Sequence, residues 1–271
     1  MRKFGLIGYP LTHSFSRKYF KARFKRDGIT DCFYIHFPLQ HISELAFVLF
    51  QNPELEGLNV TIPYKSEVIP YLDYLDPVAL EIQAVNTIRI LKKDPLLLPD
   101  FENPLPSAWR KNLILQGYNT DIIGFEQSLL GFYQDQMQQT SLPEKALILG
   151  TGGASKAVFY VLKKLGMACQ FVSRTPENPD ILSYSAVDAD LLRDHFLIVN
   201  TTPIGMFPDI DGKPEMDYEA LHSKHVLFDL VYNPEKTEFL RRGEEMGAHI
   251  INGAEMLSIQ AEKAWEIWNR S

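Results

Sequence analysis

Two α/β domains, the first built on a mostly parallel sheet, are the fold class this sequence predicts, and three observations predict it. Short apolar runs of strand length alternate with amphipathic stretches of helix length through the first ninety residues. The same rhythm resumes after residue 145. Between the two series stand a proline-rich stretch and one helical link. At 271 residues, 45% of them hydrophobic and 23% charged, the chain has room for two ordinary domains, each with its own core.

In the first series KFGLIG (3–8), FYIHFPL (33–39), GLNVT (57–61) and VNTIRIL (85–91) have strand length and are rich in β-branched and aromatic residues. Residues 16–26 and 42–50 show helical spacing. Strands joined through helices of that length predict right-handed crossovers and parallel pairing. Residues 92–111, with Pro95, Pro99, Pro104 and Pro106, break the rhythm and read as a surface excursion in a long hairpin. NLILQGYNTD (112–121) is a strand ending in a polar turn, and 122–136 is a linking helix. The second series runs KALILG (145–150), a helix over 154–165, ACQFVSR (168–174), HFLIVNTT (195–202), KHVLFDLVY (224–232) and AHIING (248–253). A last helix over 255–269 carries Met256, Leu257, Ile259, Ala261, Ala264, Trp265 and Trp268 mostly on one side.

Composition excludes several function classes. A net charge of −7 and the lack of any Lys/Arg-rich block argue against a nucleic-acid partner. No apolar run approaches the roughly 18–20 residues needed to span a bilayer, and the N-terminal apolar stretch is too short for a signal peptide. A cytoplasmic protein with no membrane partner is expected. Cys32 and Cys169 lie in apolar strands without Cys-x-x-Cys spacing and read as buried small hydrophobes. The seven histidines are scattered; only His222 and His225 are close, they lack a third ligand, and surface positions are expected for them. No metal is expected.

Gly150-Thr151-Gly152-Gly153-Ala154-Ser155 stands where a strand becomes a helix. Strand, tight turn and helix N-terminus together make an anion site, with backbone N–H groups facing a pyrophosphate. The pattern is GxGGxS, not GxGxxG, so a glycine turn without a ligand remains an alternative. At the end of the next strand Ser173-Arg174-Thr175 offers no acid for a ribose 2′-OH; an arginine beside hydroxyls suits a 2′-phosphate, unless it is a solvated surface charge. NADP is therefore favoured over NAD.

The first series ends its strands in polar residues. Ser14 and Ser16 could clasp a carboxylate or cap the following helix. Asn59, Thr61 and Lys65 lie at or beyond one strand end, where a lone lysine is ordinarily solvated; Asn86 and Asp121 sit in AVNT and GYNTD. The succession GYPLTHSFS, GLNVTIPYK, AVNT, GYNTD, the glycine turn, NTTPIGM, DLVYNPEKT and NGAEMLSIQA, from Gly8 to Trp268, resembles the shikimate dehydrogenase family.

The resemblance implies a substrate domain from residues 1–121 plus 253–271, a Rossmann-like NADP-binding domain over 122–252, and a cleft between. It implies that Ser14, Ser16 and Thr61 hold the substrate carboxylate, with Asn59 nearby. Asn86, Asp121 and Gln260 would hold its hydroxyls, and Tyr232 would help close the site. Lys65 matches the family's catalytic lysine and Asp121 its partner. Gly150, Thr151, Gly152, Gly153, Ala154, Ser173, Arg174, Thr175, Asn200, Thr201, Thr202, Leu230 and Gly253 match the cofactor side. The implied reaction is reversible NADPH-dependent reduction of 3-dehydroshikimate to shikimate, within aromatic amino acid and chorismate biosynthesis, by a monomer or homodimer.

Three positions depart from the family pattern. Arg17 follows Ser16 where proline is usual; Glu177 stands after Arg174-Thr175-Pro176 in place of a second base; Gln83 replaces a frequent glycine before AVNT. The second leaves NAD or dual cofactor use open, and with it a quinate/shikimate dehydrogenase. A non-catalytic nucleotide-binding regulator would tend to lose Lys65 and Asp121, both retained here. A glutamyl-tRNA reductase would want a nucleophilic cysteine that apolar Cys32 does not supply.

Overall fold

The computed structural model describes residues 1–11, 15–92 and 112–270. Two compact units emerge: Met1–Thr120 with Ala261–Ser271, and Asp121–Gln260.

The first unit runs β1 (Arg2–Gly8), α1 (Ser16–Arg26), β2 (Cys32–Pro38), α2 (Leu45–Gln51), β3 (Leu55–Val60), β4 (Tyr74–Leu75), α3 (Pro77–Ile82), β5 (Thr87–Lys92) and β6 (Leu113–Tyr118). Its sheet has the order β2-β1-β3-β5-β6-β4. The β1–β2, β1–β3 and β4–β6 ladders are parallel, while β3–β5 and β5–β6 are antiparallel. The antiparallel β5–β6 pair is the hairpin expected around the proline-rich stretch, whose residues 93–111 lie outside those described.

Strand alternation divides the core of this unit between the two sheet faces. On β1, Ile7 joins Leu45, Leu55, Leu58, Ile88 and Leu115. Phe4 and Leu6 face the other way, packing with Phe20 and Phe24 of α1 and with Ala264, Ile267 and Trp268. Trp268 stacks on Phe4 at 4.9 Å between ring centroids, and its indole N–H donates to the Ile88 carbonyl at 3.0 Å. Gly57 is required beneath it, since a Cβ there would stand 2.3 Å from the indole.

Helix α3 and strand β4 escaped the sequence reading because neither, at six and two residues, is long enough to show a period. Asp76 caps α3 by accepting the Val78 N–H at 3.1 Å, Pro77 opens it, and Gln83 ends it in the left-handed conformation, φ 52°. That backbone explains the glycine frequent there. Gln83 offsets part of the strain by donating to the Leu80 carbonyl at 2.7 Å.

The second unit holds α4 (Asp121–Gly131), β7 (Lys145–Leu149), α5 (Gly153–Lys164), β8 (Ala168–Ser173), β9 (Ile181–Ser183), α6 (Ala189–Leu192), β10 (Leu197–Asn200), β11 (Val226–Asp229), α7 (Glu238–Glu245) and β12 (His249–Ile251). All five ladders of its sheet, in the order β12-β11-β10-β7-β8-β9, are parallel. The final helix, α8 (Ala254–Trp268), is shared, because the division falls between Gln260 and Ala261.

The surface position expected for His225 is corrected: the residue is fully buried. Its Nδ1 accepts the His222 N–H at 3.1 Å and its Nε2 lies 3.0 Å from the Leu192 carbonyl, an arrangement that fixes the neutral ring protonated at Nε2. Burial lowers its pKa accordingly. Among the described residues no group of His, Cys, Asp and Glu could hold a metal, and no helix is long and apolar enough to cross a membrane. Both thiols are free, and burial pushes each up to about 11.

Candidate active site

In the first unit the polar residues gather at the ends of β1, β3, β5 and β6. Thr61, just past β3, donates its N–H to the Ile7 carbonyl at 2.9 Å. Gly8 is needed opposite it, since a Cβ there would lie 2.4 Å from the threonine methyl. Three residues on, buried Tyr64 pins the turn by donating from its hydroxyl to the Leu39 carbonyl at 2.7 Å. Lys65 follows, half-buried, its carbonyl accepting the Val85 N–H at 2.7 Å. The lysine therefore stands on a fixed turn.

Asn86 ties this turn to the end of β6. Its Oδ1 accepts the Thr120 N–H at 2.7 Å and the Thr87 hydroxyl at 3.0 Å, and its Nδ2 lies 3.0 Å from the Thr120 hydroxyl. Asn119 donates to the Ala84 carbonyl at 3.0 Å. One continuous web thus joins Lys65, Val85, Asn86 and Thr120, and buried Asp121 is the next residue in the chain. These bonds account for Asn119 and Thr120 of GYNTD, which packing alone would not select.

Asn59 anchors the other side. It lies 5% exposed, accepts the Tyr34 hydroxyl at 2.8 Å and donates to Thr87 at 3.3 Å. Tyr34 is also hydrogen-bonded to Ser16, and its full burial raises its pKa well above the usual phenol range. The sequence reading passed over Tyr34, hidden in the apolar run FYIHF; the signal available was that a buried tyrosine hydroxyl needs a partner. Ser16 is the first residue of α1, one place past its N-cap, Phe15. Ser14 lies outside the described residues.

In the second unit Gln260 is 9% exposed on α8, one turn beyond Met256. Gly124 of α4 lets α8 approach closely, since a Cβ there would stand 2.6 Å from the Met256 carbonyl and 3.2 Å from the Gln260 Cβ. Tyr232 is half-buried beyond β11.

The expected cofactor residues all lie in the second unit, at or just beyond the carboxyl ends of its strands. Strand order reverses at β7, with β8 on one side and β10 on the other, and ligands of such sheets bind in the crevice there. Gly150 ends β7 with φ 104°, and a Cβ on it would meet the Thr201 hydroxyl at 2.8 Å. Gly152 is the N-cap of α5 and has open space where a Cβ would go, and helix N-termini of this kind suit an incoming phosphate. Ser173 closes β8 and accepts the Thr175 N–H at 3.3 Å, leaving Arg174 and Thr175 exposed with no acid at the strand end. These residues fit a dinucleotide bearing a 2′-phosphate.

Asn200, Thr201 and Thr202 form the turn after β10. The Thr201 hydroxyl donates to the Leu149 carbonyl at 2.7 Å, and Asn200 accepts the Thr202 hydroxyl at the same distance. Gly253 packs against Leu230 so closely that a Cβ would stand 2.2 Å from the Leu230 carbonyl. Behind these residues lies Asp229, fully buried, which the sequence reading did not single out. Burial pushes its carboxyl up to about 7, against three hydrogen bonds that pull it down.

Comparison with known proteins agrees with this geometry. A family model described as the shikimate dehydrogenase substrate binding domain matches residues 6–88. The shikimate dehydrogenase (NADP(+)) of Halothermothrix orenii is 35% identical over 290 aligned positions, covering 97% of this chain and 89% of that protein. A crystal structure of a shikimate dehydrogenase in complex with NADP+ superposes with TM-score 0.78 at 29% identity, covering 99% of this chain and 90% of that one. The Listeria monocytogenes shikimate 5-dehydrogenase, in complex with shikimate and NAD, gives TM-score 0.75 at 25% identity, covering 100% and 92%. With a relative of that identity aligned along nearly its whole length, this chain belongs to the shikimate dehydrogenase family.

Proposed function

We propose that this chain catalyses the reversible NADPH-dependent reduction of 3-dehydroshikimate to shikimate, with Lys65 and Asp121 managing the proton. The observation that supports the catalytic assignment is the web that fixes Lys65 to Val85 and Thr120 to the adjoining Asn86, so that a lysine and the carboxylate following Thr120 both issue from anchored backbone. Bound NADPH supplies the hydride. As charge develops on the C3 oxygen, the Lys65 ammonium stabilises it and donates the proton. Asp121 orients the lysine and shares the proton relay. Ser14, Ser16 and Thr61 hold the substrate carboxylate; Asn86 and Gln260, with Asp121, pair with its hydroxyls, and Tyr232 closes over it. An analogue lacking a hydroxyl forfeits one of these bonds, at about 1–3 kcal/mol each. The enzyme works as a monomer or a homodimer.

Initial rates with shikimate or quinate and each oxidised cofactor, followed by the absorbance of reduced nicotinamide, test this directly. Shikimate with NADP is expected to turn over best; no reduced cofactor from shikimate with either dinucleotide would refute the proposal. Glu177, exposed near Arg174, favours a second reading with NAD or dual cofactor use, and quinate turnover with NAD would support it. The Arg174→Ala variant separates the two. Losing a charge-assisted bond to the 2′-phosphate should raise the NADP KM about tenfold, the equivalent of about 1.4 kcal/mol, and leave the NAD KM within about twofold. Equal effects on both cofactors would remove Arg174 from phosphate recognition.

A further inference from the structure

We propose that Asp229 is a positioning residue for the dinucleotide, setting the orientation of Asn200 and, through it, the shape of the turn that meets the cofactor. This rests on the cofactor site just described and extends it one residue behind the binding surface.

A carboxylate with no exposure is costly in a core, and an apolar residue of similar volume would ordinarily serve packing better. The bonding partners of Asp229 are neutral donors: the Asn200 Nδ2 at 3.0 Å, the Val231 N–H at 3.0 Å and the Thr237 hydroxyl at 2.6 Å. The first of these decides the matter. The two ends of an asparagine amide have nearly the same shape, and only their partners fix which way it points. The Asp229 oxygen facing Asn200 also takes the Val231 N–H and so acts there as an acceptor, which compels the Asn200 NH2 to face it. The Oδ1 is thereby turned toward Thr202, where it takes both the backbone N–H at 3.1 Å and the hydroxyl at 2.7 Å. With the amide reversed, its NH2 would oppose the Thr202 N–H and the turn could not close.

Two further bonds extend this control along the strand ends. The Asn200 carbonyl accepts the Leu230 N–H at 3.0 Å. Val231, held by Asp229 through its N–H, receives the Gly253 N–H on its carbonyl at 3.1 Å. One buried carboxylate therefore stands behind the turn after β10 and behind the close approach of Leu230 and Gly253. The raised pKa agrees with a group kept in place despite the cost of its burial. Thr237, the third partner, also caps α7 through the Leu240 N–H, so the same residue carries a structural role that any test must subtract.

The test uses the full-length protein and NADP+ titrated by calorimetry, with thermal melting and shikimate KM at saturating NADP measured alongside. Asp229→Asn is expected to weaken NADP+ binding about tenfold while the shikimate KM stays within about twofold. Thr237→Val, which removes the α7 cap but leaves the Asp229–Asn200 bond, should lower the melting temperature and keep NADP+ affinity within about twofold. Asn200→Ala should weaken binding as much as Asp229→Asn does, and the double variant should be no weaker than Asn200→Ala alone. Wild-type affinity in Asp229→Asn, or a loss of affinity in Thr237→Val matching that of Asp229→Asn, would overturn the inference. Should Asp229→Asn fail to fold, wild-type affinity in Asn200→Ala would overturn it instead. Failure of the unmodified protein to bind either NADP+ or NAD+ would bring down the cofactor reading beneath it, and this inference with it.

Discussion

Replacing Lys65 by alanine is expected to lower kcat by about 10²–10⁴-fold while changing the shikimate KM by less than about threefold. A positioned general acid contributes acceleration of that order, and it acts where charge develops, on the C3 oxygen. In the proposed site other residues hold the substrate's carboxylate and hydroxyls, so the ground state should lose little when the ammonium is removed. Steady-state rates in both directions at saturating cofactor check the split. A variant with near-normal kcat would show that another group delivers the proton; one with unchanged kcat and a greatly raised KM would make Lys65 a binding residue. The turn that carries it is fixed by Tyr64 and Val85 through bonds that the substitution does not touch, so the fold should survive.

The largest stability effect is expected from Trp268→Ala. The side chain is 4% exposed, packs on Phe4 and Phe20, and donates its indole N–H to the Ile88 carbonyl. Truncation leaves a cavity bounded by Phe4, Phe20 and the Gly57 backbone and strands a buried acceptor, which together should cost about 3–5 kcal/mol. Urea denaturation followed by circular dichroism reads the loss. Because the residue belongs to the first unit, a two-step transition should develop, with the early step carrying the destabilisation. A cost below about 1 kcal/mol would mean that the neighbouring aromatic rings collapse into the space.

Much of this fold was legible from periodicity, and the reason is physical. Where a strand is buried on both faces, as in KALILG and HFLIVNTT, the apolar run announces it, and the glycines after β7 mark the turn into α5. What stayed hidden was set by pairing rather than by pattern. The antiparallel direction of β5 against β3 leaves no trace in the residues of either strand. Likewise α3, six residues long, depends on Asp76 and on a left-handed Gln83 that no periodicity reveals. In the site, Lys65 and Asp121 were singled out through their family motifs. Tyr34 and Asp229 were missed because each lies inside a hydrophobic run, and their significance is carried by partners distant in sequence: Asn59 for the first, Asn200 for the second.

The final helix bears on the order in which the molecule assembles. Phe4 and Phe20 precede the nucleotide-binding unit in the chain, yet the ring that fills the space between them, Trp268, follows it. During synthesis the N-terminal sheet must wait with one face covered only by α1 while the whole nucleotide-binding unit is made. That unit draws its residues from a single stretch, Asp121–Gln260, and can close its own core first. The half of the enzyme translated first is therefore finished second, and its waiting aromatic face is where a nascent chain would most need protection from aggregation.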